Sequence, residues 1–316
     1  MGADDNQRMN TPTTPDGAMS LPHWGLIRAR GADAVKFLQG QLTNDVALMD
    51  ATEVRLAGFC SAKGRLQASF IVWKVTPDEL LLACAASVLP AVLKRLTMFV
   101  LRAQCKLSDA SAELPLTGVL GASARALVGD MPVWTQRTVD SGTVLRLPDV
   151  DGVVRCMRVA GAPLAEAPAV PLDTWRALEV RSGIPLIEAA TVEQFVPQML
   201  NYEVVGGVDF KKGCYPGQEV VARSQYRGTI KRRMFLFESA AELAAGQEVF
   251  HSADAGQPAG MVVNAAALAS GGFVALVEVK LAALDSGSLH AGSAHGAALV
   301  RDELPYLLPA DATLPA

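Results

Sequence analysis

The chain predicts an α+β fold with antiparallel sheets and a separate C-terminal β-unit, on three observations. Through about residue 100 the strand patterns come in neighbouring groups broken by single helices, whereas a doubly wound parallel sheet alternates strand and helix. A second mixture of the same kind follows, between about residues 112 and 170. After Arg233 the chain becomes a string of short strand candidates separated by Gly, Ser and Asp turns, the spacing of a small β-barrel or β-sandwich.

Taken in order, His23 to Arg30 reads as a strand and Ala32 to Gln39 as a helix that stops at Gly40. Val54 to Phe59 and Arg65 to Val75 form a hairpin through Ser61-Ala62-Lys63-Gly64, and Leu80 to Ala85 adds a strand. Val88 to Met98 is a helix, with Val88, Val92, Leu96 and Phe99 at helical spacing and Lys94 and Arg95 on the other side. In the second unit Leu116 to Leu120, Thr143 to Leu147 and Val153 to Val159 read as strands, and Ala122 to Val128 as a helix. A proline-rich link from Ala162 to Pro171 leads into a helix over Asp173 to Arg181, with Asp173 as N-cap, ended by Gly183 and Pro185. The C-terminal strands are Met234 to Glu238, Glu248 to His251, Gly260 to Asn264, Phe273 to Val279 and Ala297 to Val300. The division expected is a flexible tail over 1–20, two interleaved α+β subdomains over 21–235 (the second about 112–170) and a β-barrel domain over 236–316.

With 316 residues, 50% of them hydrophobic and 19% charged, the chain can bury a large core. Its longest apolar run, Leu80 to Leu93, is interrupted by Ser87 and Pro90 and is too short to span a bilayer. The acidic, polar start Met1-Gly2-Ala3-Asp4-Asp5-Asn6 is wrong for a signal peptide, so a cytoplasmic protein with no membrane partner is expected. Cys60, Cys84, Cys105, Cys156 and Cys214 are scattered, and His23, His251, His290 and His295 show no ligand spacing, so neither disulfides nor an intrinsic metal are predicted. No P-loop or dinucleotide-binding glycine motif is present.

The densest chemistry lies in Lys211-Lys212-Gly213-Cys214-Tyr215-Pro216-Gly217-Gln218-Glu219 and on to Arg223. Cys214 sits between two glycines in a turn flanked by cations, just before a helix start at which Glu219 complements the positive end. A helix N-terminus with Lys211, Lys212 and Arg223 nearby is the setting of a reactive thiolate; the plain counterpart is a small buried residue in a tight turn. From Lys211 to Arg233 there are seven cations (Lys211, Lys212, Arg223, Arg227, Lys231, Arg232, Arg233) against Glu219, a local +6 on a chain of −4. Such an island points to an anionic ligand, a polyglutamate tail or RNA; its plain counterpart is a solvated charge run.

Lys212-Gly213-Cys214-Tyr215-x-Gly217-Gln218-Glu219 resembles the signature of the YgfZ family of folate-binding proteins, relatives of the T-protein (aminomethyltransferase) of the glycine cleavage system. The likeness continues in Trp24, in Gly31-Ala32-Asp33 with Phe37 to Asp45, and in Lys63-Gly64-Arg65. It takes in Trp175, Gly183-Ile184-Pro185-Leu186-Ile187 and Phe195-Val196-Pro197-Gln198, and ends with Phe210, Ala222-Arg223 and Arg227-Gly228. It covers roughly residues 22 to 235 and implies three domains around a central opening that binds tetrahydrofolate or a derivative. It also implies a role in assembling or maintaining iron–sulfur enzymes, including those that modify tRNA. On this resemblance Trp24 and Trp175 are the folate-contacting tryptophans, a flat pterin gaining about 0.5–1.5 kcal/mol by stacking on an indole. Lys212 or Arg223 would meet the glutamate tail, and Cys214 would supply a thiolate. T-protein enzymes carry an aspartate just after the glycine of the first hairpin; here Gly64 precedes Arg65-Leu66-Gln67-Ala68-Ser69, so glycine cleavage is not expected. The expected role is an accessory protein with iron–sulfur client or assembly partners. The alternatives are a one-carbon transferase using Cys214 and an RNA-binding module, the latter disfavoured by overall acidity and by the absence of aromatics interleaved with the cations.

Overall fold

The computed structural model describes residues 14–139, 142–162, 164, 166–226 and 230–309. Its strands are β1 (Gly17–Ser20), β2 (Trp24–Arg30), β3 (Val54–Cys60), β4 (Leu66–Thr76), β5 (Glu79–Ala85), β6 (Lys106–Asp109), β7 (Leu116–Leu120), β8 (Gln136–Val139), β9 (Gly142–Val150), β10 (Val153–Val159), β11 (Arg232–Ser239), β12 (Glu248–His251), β13 (Gly260–Ala267), β14 (Phe273–Lys280), β15 (Leu289–Ala291) and β16 (Ala297–Asp302). The helices are α1 (Ala34–Gln39), α2 (Leu89–Val100), α3 (Gly121–Val128), α4 (Leu172–Arg181) and α5 (Gln218–Tyr226).

Two five-stranded sheets, ordered β3-β4-β5-β2-β6 and β1-β7-β10-β9-β8, precede a closed barrel ordered β11-β14-β13-β12-β15-β16. All the strand pairs are antiparallel, as the expected α+β class requires. The barrel closes through Leu236 opposite Asp302 and Phe237 opposite Arg301, which removes the free edges a sandwich would leave.

Each sheet covers one face with its own helices. Phe37 and Leu38 of α1 and Leu89, Val92 and Leu96 of α2 bury against Ile27, Phe59 and Leu82 on the first sheet. Ala124 and Val128 of α3 bury against Val119 and Cys156 on the second. The opposite faces meet in one core: Leu26, Leu56, Ile71 and Trp73 from the first sheet, Leu145, Leu147, Met157 and Val159 from the second, and Met234, Leu236, Val263 and Leu276 from the barrel. At about 1.5–3 kcal/mol for each fully buried large aliphatic side chain, that shared core is the main tie between the three units. α4 runs through it, with Trp175 fully buried.

Three expectations are corrected. The flexible tail does not extend to residue 20, because Gly17–Ser20 pairs with β7, Gly17 opposite Leu120; residues 1–13 lie outside the described residues. Asp173 is not the N-cap of α4: the helix begins one residue earlier, after Pro171, and Asp173 sits in its first turn, where its charge suits the helix dipole. Strands β1, β6, β8 and β15, each of three or four residues, were not expected; they are too short to show alternation, and β1 and β6 are held by pairing with the distant β7 and β2, β8 by β9, and β15 by β12 and β16.

Candidate functional site

Where the two sheets and α4 meet, the structure leaves a largely apolar cavity. Trp24 opens β2 at its edge, Leu56 and Ile71 come from β3 and β4, Leu147 and Arg155 from β9 and β10, and Glu179 from α4. A smaller and more polar recess adjoins it, sharing Glu179, Ile184 and Leu186 and adding His23, Arg176, Glu188 and the barrel residue Asn264. Asn264 fixes the barrel to this rim: its side-chain oxygen accepts from Leu186 N at 2.9 Å and its amide donates to Leu186 O at 2.8 Å.

Glu179 organises the site. Its Oε1 accepts the indole N–H of Trp24 at 2.6 Å and that of Trp175 at 2.5 Å, and its Oε2 lies 2.7 Å from His23 Nε2. Trp175 reaches it because positions i and i+4 share a helix face. Trp175 is held from behind by Gly118 of β7, where a Cβ would lie 2.6 Å from the indole, so no larger residue fits. Arg155 stands on the other side, 2% exposed, with its guanidinium carbon 5.6 Å from the Trp175 ring centre. Burial pushes that guanidinium down to about 10, against the pull of Glu179 and Asp149. Its Nε donates to Pro148 O at 3.2 Å; its two terminal nitrogens have no hydrogen-bond partner among the described residues.

The two predicted tryptophans therefore converge on one carboxylate, but in different ways. Trp24 is half-buried and lines the cavity, whereas Trp175 is fully buried behind Glu179 and Arg155 and does not line it. Its expected role as a stacking platform changes to that of a support for Glu179.

The cysteine motif lies apart from the cavity lining. Lys212 is buried, not free to meet a ligand tail: its Nζ donates to Gln39 O at 2.5 Å and Leu42 O at 2.7 Å, at the end of α1, and lies 4.9 Å from the Tyr215 ring centre. Burial pushes its amine down to about 8, with Asp45 and Asp209 opposing. Arg223 is exposed and pairs with Glu219 one turn away, at 2.7 Å. Gly217 has φ +78°, and a Cβ there would lie 2.4 Å from Ser61 O and 2.6 Å from Gly64 N, so the motif seats on the β3–β4 hairpin turn at a distance only glycine permits. Tyr215 is buried, and its burial pushes the phenol well above its ordinary pKa. Gln218 reaches back towards Gly213 O at 3.4 Å. Cys214 is thus displayed as an exposed free thiol on a loop whose neighbours are anchored inward. The two cations expected beside it, Lys212 and Arg223, are engaged elsewhere; Arg227 lies outside the described residues. The same partition disperses the basic island: Arg232 pairs with buried Glu278, the closer oxygen to its Nε and the other 2.9 Å from its Nη2, and buried Arg233 pairs with Glu203.

Sequence reasoning did not single out Glu179, Arg155 or His23 for this site. Two signals were present: a carboxylate four residues after Trp175, and an arginine inside the apolar run Val153-Val154-Arg155-Cys156-Met157. Among the described residues no group of three or more His, Cys, Asp or Glu side chains is placed to hold a metal ion, and no helix is long and apolar enough to cross a membrane.

Residues 15–159 match the family model of the GCVT N-terminal domain. The chain is 33% identical over 236 residues, 71% of its length and 72% of the relative's, to the tRNA-modifying protein YgfZ of Shigella boydii serotype 4. It shows the same identity and coverage to the tRNA-modifying protein YgfZ of Escherichia coli O45:K1. The solved structure of glycine cleavage system aminomethyltransferase T from Bartonella henselae superposes with a TM-score of 0.72 over 92% of this chain and 86% of that one, at 16% identity, which establishes the shared fold.

Proposed function

This chain belongs to the YgfZ family, and from that premise we propose that it binds tetrahydrofolate or a derivative in the junction cavity as a protein of tRNA modification. Its finer role is that of a cytoplasmic accessory factor in the assembly or maintenance of iron–sulfur enzymes, whose methylthiolating members act on tRNA. The observation that carries the folate reading is the convergence of Trp24 and Trp175 on Glu179 at the edge of an apolar cavity.

The residues present fit a reduced pterin. Glu179 keeps one acceptor site, on Oε2, beyond those taken by the indoles and His23, and a carboxylate oxygen suits an N–H donor of a pterin edge. Trp24 offers a half-buried indole face, and Leu56, Ile71 and Leu147 supply apolar walls. When bound, tetrahydrofolate would supply one-carbon chemistry at its ring nitrogens; the protein's part is to bind, orient and exclude water. The aspartate of the T-protein enzymes is missing after Gly64, and Cys214 does not line the cavity, which favours an accessory role over a one-carbon transferase using Cys214. Internal pairing of Arg232 and Arg233 disfavours the RNA-binding alternative.

The test is a titration with tetrahydrofolate and 5-formyltetrahydrofolate, read by quenching of tryptophan fluorescence. A Kd in the micromolar range, about −8 kcal/mol, is expected, with Trp24→Ala weakening it roughly tenfold. Saturable binding that Trp24→Ala leaves unchanged would move the site elsewhere, and absence of binding would refute the reading. Complementation of a null strain by Cys214→Ala, scored on an iron–sulfur tRNA methylthiolase, tests the accessory role. Full rescue would remove the thiol from it.

A further inference from the structure

We infer that Arg155 reads the 4-oxo group of the bound pterin, so that the site selects 4-oxo over 4-amino pteridines. The inference rests on the folate reading and extends it to what the cavity discriminates.

A guanidinium that is only 2% exposed normally has its donors matched within the protein. Arg155 departs from this. Its Nε has one carbonyl, Pro148 O, and its face lies over the Trp175 indole, but both terminal nitrogens lack partners among the described residues while the side chain lines the cavity. Arg146, its neighbour on β9, shows the alternative, with its terminal nitrogens taken by Leu147 O, Arg155 O and Asp149. The open donors of Arg155 are thus available to acceptors on whatever fills the cavity.

Glu179 sets the complementary requirement, since an ionised carboxylate only accepts. A ligand satisfying both presents a donor to Glu179 and an acceptor to Arg155 on one planar system between apolar walls. A pterin edge carries that sequence: the 2-amino group and N3–H donate, and O4 accepts. Replacing O4 by an amino group leaves Glu179 the 2-amino donor, removes the hydrogen of N3, and turns a donor towards the guanidinium. A site built around a hydrogen bond rejects the analogue that cannot make it far more strongly than an apolar pocket rejects a change of size.

Tetrahydrofolate and 4-amino-4-deoxytetrahydrofolate differ in the group at C4 and the hydrogen at N3 that goes with it, and carry the same tail. On the intact protein, fluorescence or calorimetric titration is expected to show at least about thirtyfold tighter binding of the 4-oxo compound. Arg155→Met should weaken the 4-oxo ligand tenfold or more and leave the 4-amino ligand unchanged or improved, narrowing the ratio at least tenfold; Arg155→Lys, which keeps a cationic donor, should give an intermediate ratio. Equal affinities on the wild type would overturn the inference even if neither variant folds. Equal losses for both ligands in Arg155→Met would also overturn it, by placing the guanidinium on the tail carboxylates. Failure to bind tetrahydrofolate at all removes both this inference and the folate reading, whereas tight binding with a ratio near one removes this inference alone.

Discussion

Glu179→Ala and Glu179→Gln separate what this carboxylate does for the fold from what it does for a ligand. In the alanine variant the indole N–H of Trp175 loses its acceptor inside a fully buried setting, which costs about 1–3 kcal/mol. Trp24 is half-buried, so water can take its N–H and the loss there is smaller, about 0.5–1 kcal/mol. Arg155 and His23 lose their neighbouring negative charge, which adds to the total. The sum is a destabilisation of about 3 kcal/mol, among the larger effects of a single substitution. The glutamine variant keeps an amide oxygen for both indoles, and its stability should fall by only about 1 kcal/mol. Its tetrahydrofolate affinity should nonetheless drop at least tenfold, because a charge-assisted pair becomes a neutral one. Urea denaturation followed by near-ultraviolet circular dichroism measures the first quantity, and fluorescence titration the second. If Glu179→Ala unfolds within about 0.5 kcal/mol of the wild type, the indoles have other acceptors and Glu179 does not organise the site.

Two further outcomes test the cysteine motif. Gly217→Ala should destabilise by about 3 kcal/mol, combining the penalty of a positive φ with a Cβ placed against the backbone of Ser61 and Gly64, whereas Gly213→Ala, which meets nothing within 4 Å, should be silent in the same denaturation assay. Equal stability of the two variants would mean that the hairpin seat does not hold the motif. Limiting iodoacetamide at neutral pH, followed by peptide mapping, should label Cys214 first, since Cys60, Cys84 and Cys156 are buried and their thiols are pushed up to about 12. First labelling at any of those three would show that the core opens more readily than its packing implies. Because Cys214 does not line the cavity, bound folate should not slow its reaction.

Much of the architecture could be read along the chain. Leu116–Leu120, Val153–Val159 and Glu248–His251 fall where strand patterning placed them, because alternation and turn residues are local properties. The short strands were not legible for the opposite reason: Gly17–Ser20 is a strand only because Leu120, about a hundred positions away, pairs with it. The cations of the motif illustrate a second limit. Residue type identified Lys212 and Arg223 as ligands for an anion, but type carries no direction, and the fold turns one into the end of α1 and pairs the other along its own helix.

What the sequence by itself determined is the α+β class, the glycine-framed cysteine turn with its family signature, and the two tryptophans. These depend on periodicity, on backbone freedom at single glycines and on residue chemistry, all encoded within a few neighbouring positions. The tertiary structure alone decided that Trp24 and His23 meet Glu179 across 155 and 156 positions, that Trp175 supports the cavity from behind and does not line it, and that Arg155 faces the cavity with open donors. Those are matters of which surfaces three packed units bring together. A buried charge takes its meaning from the partners that packing supplies or withholds, and no local pattern records them.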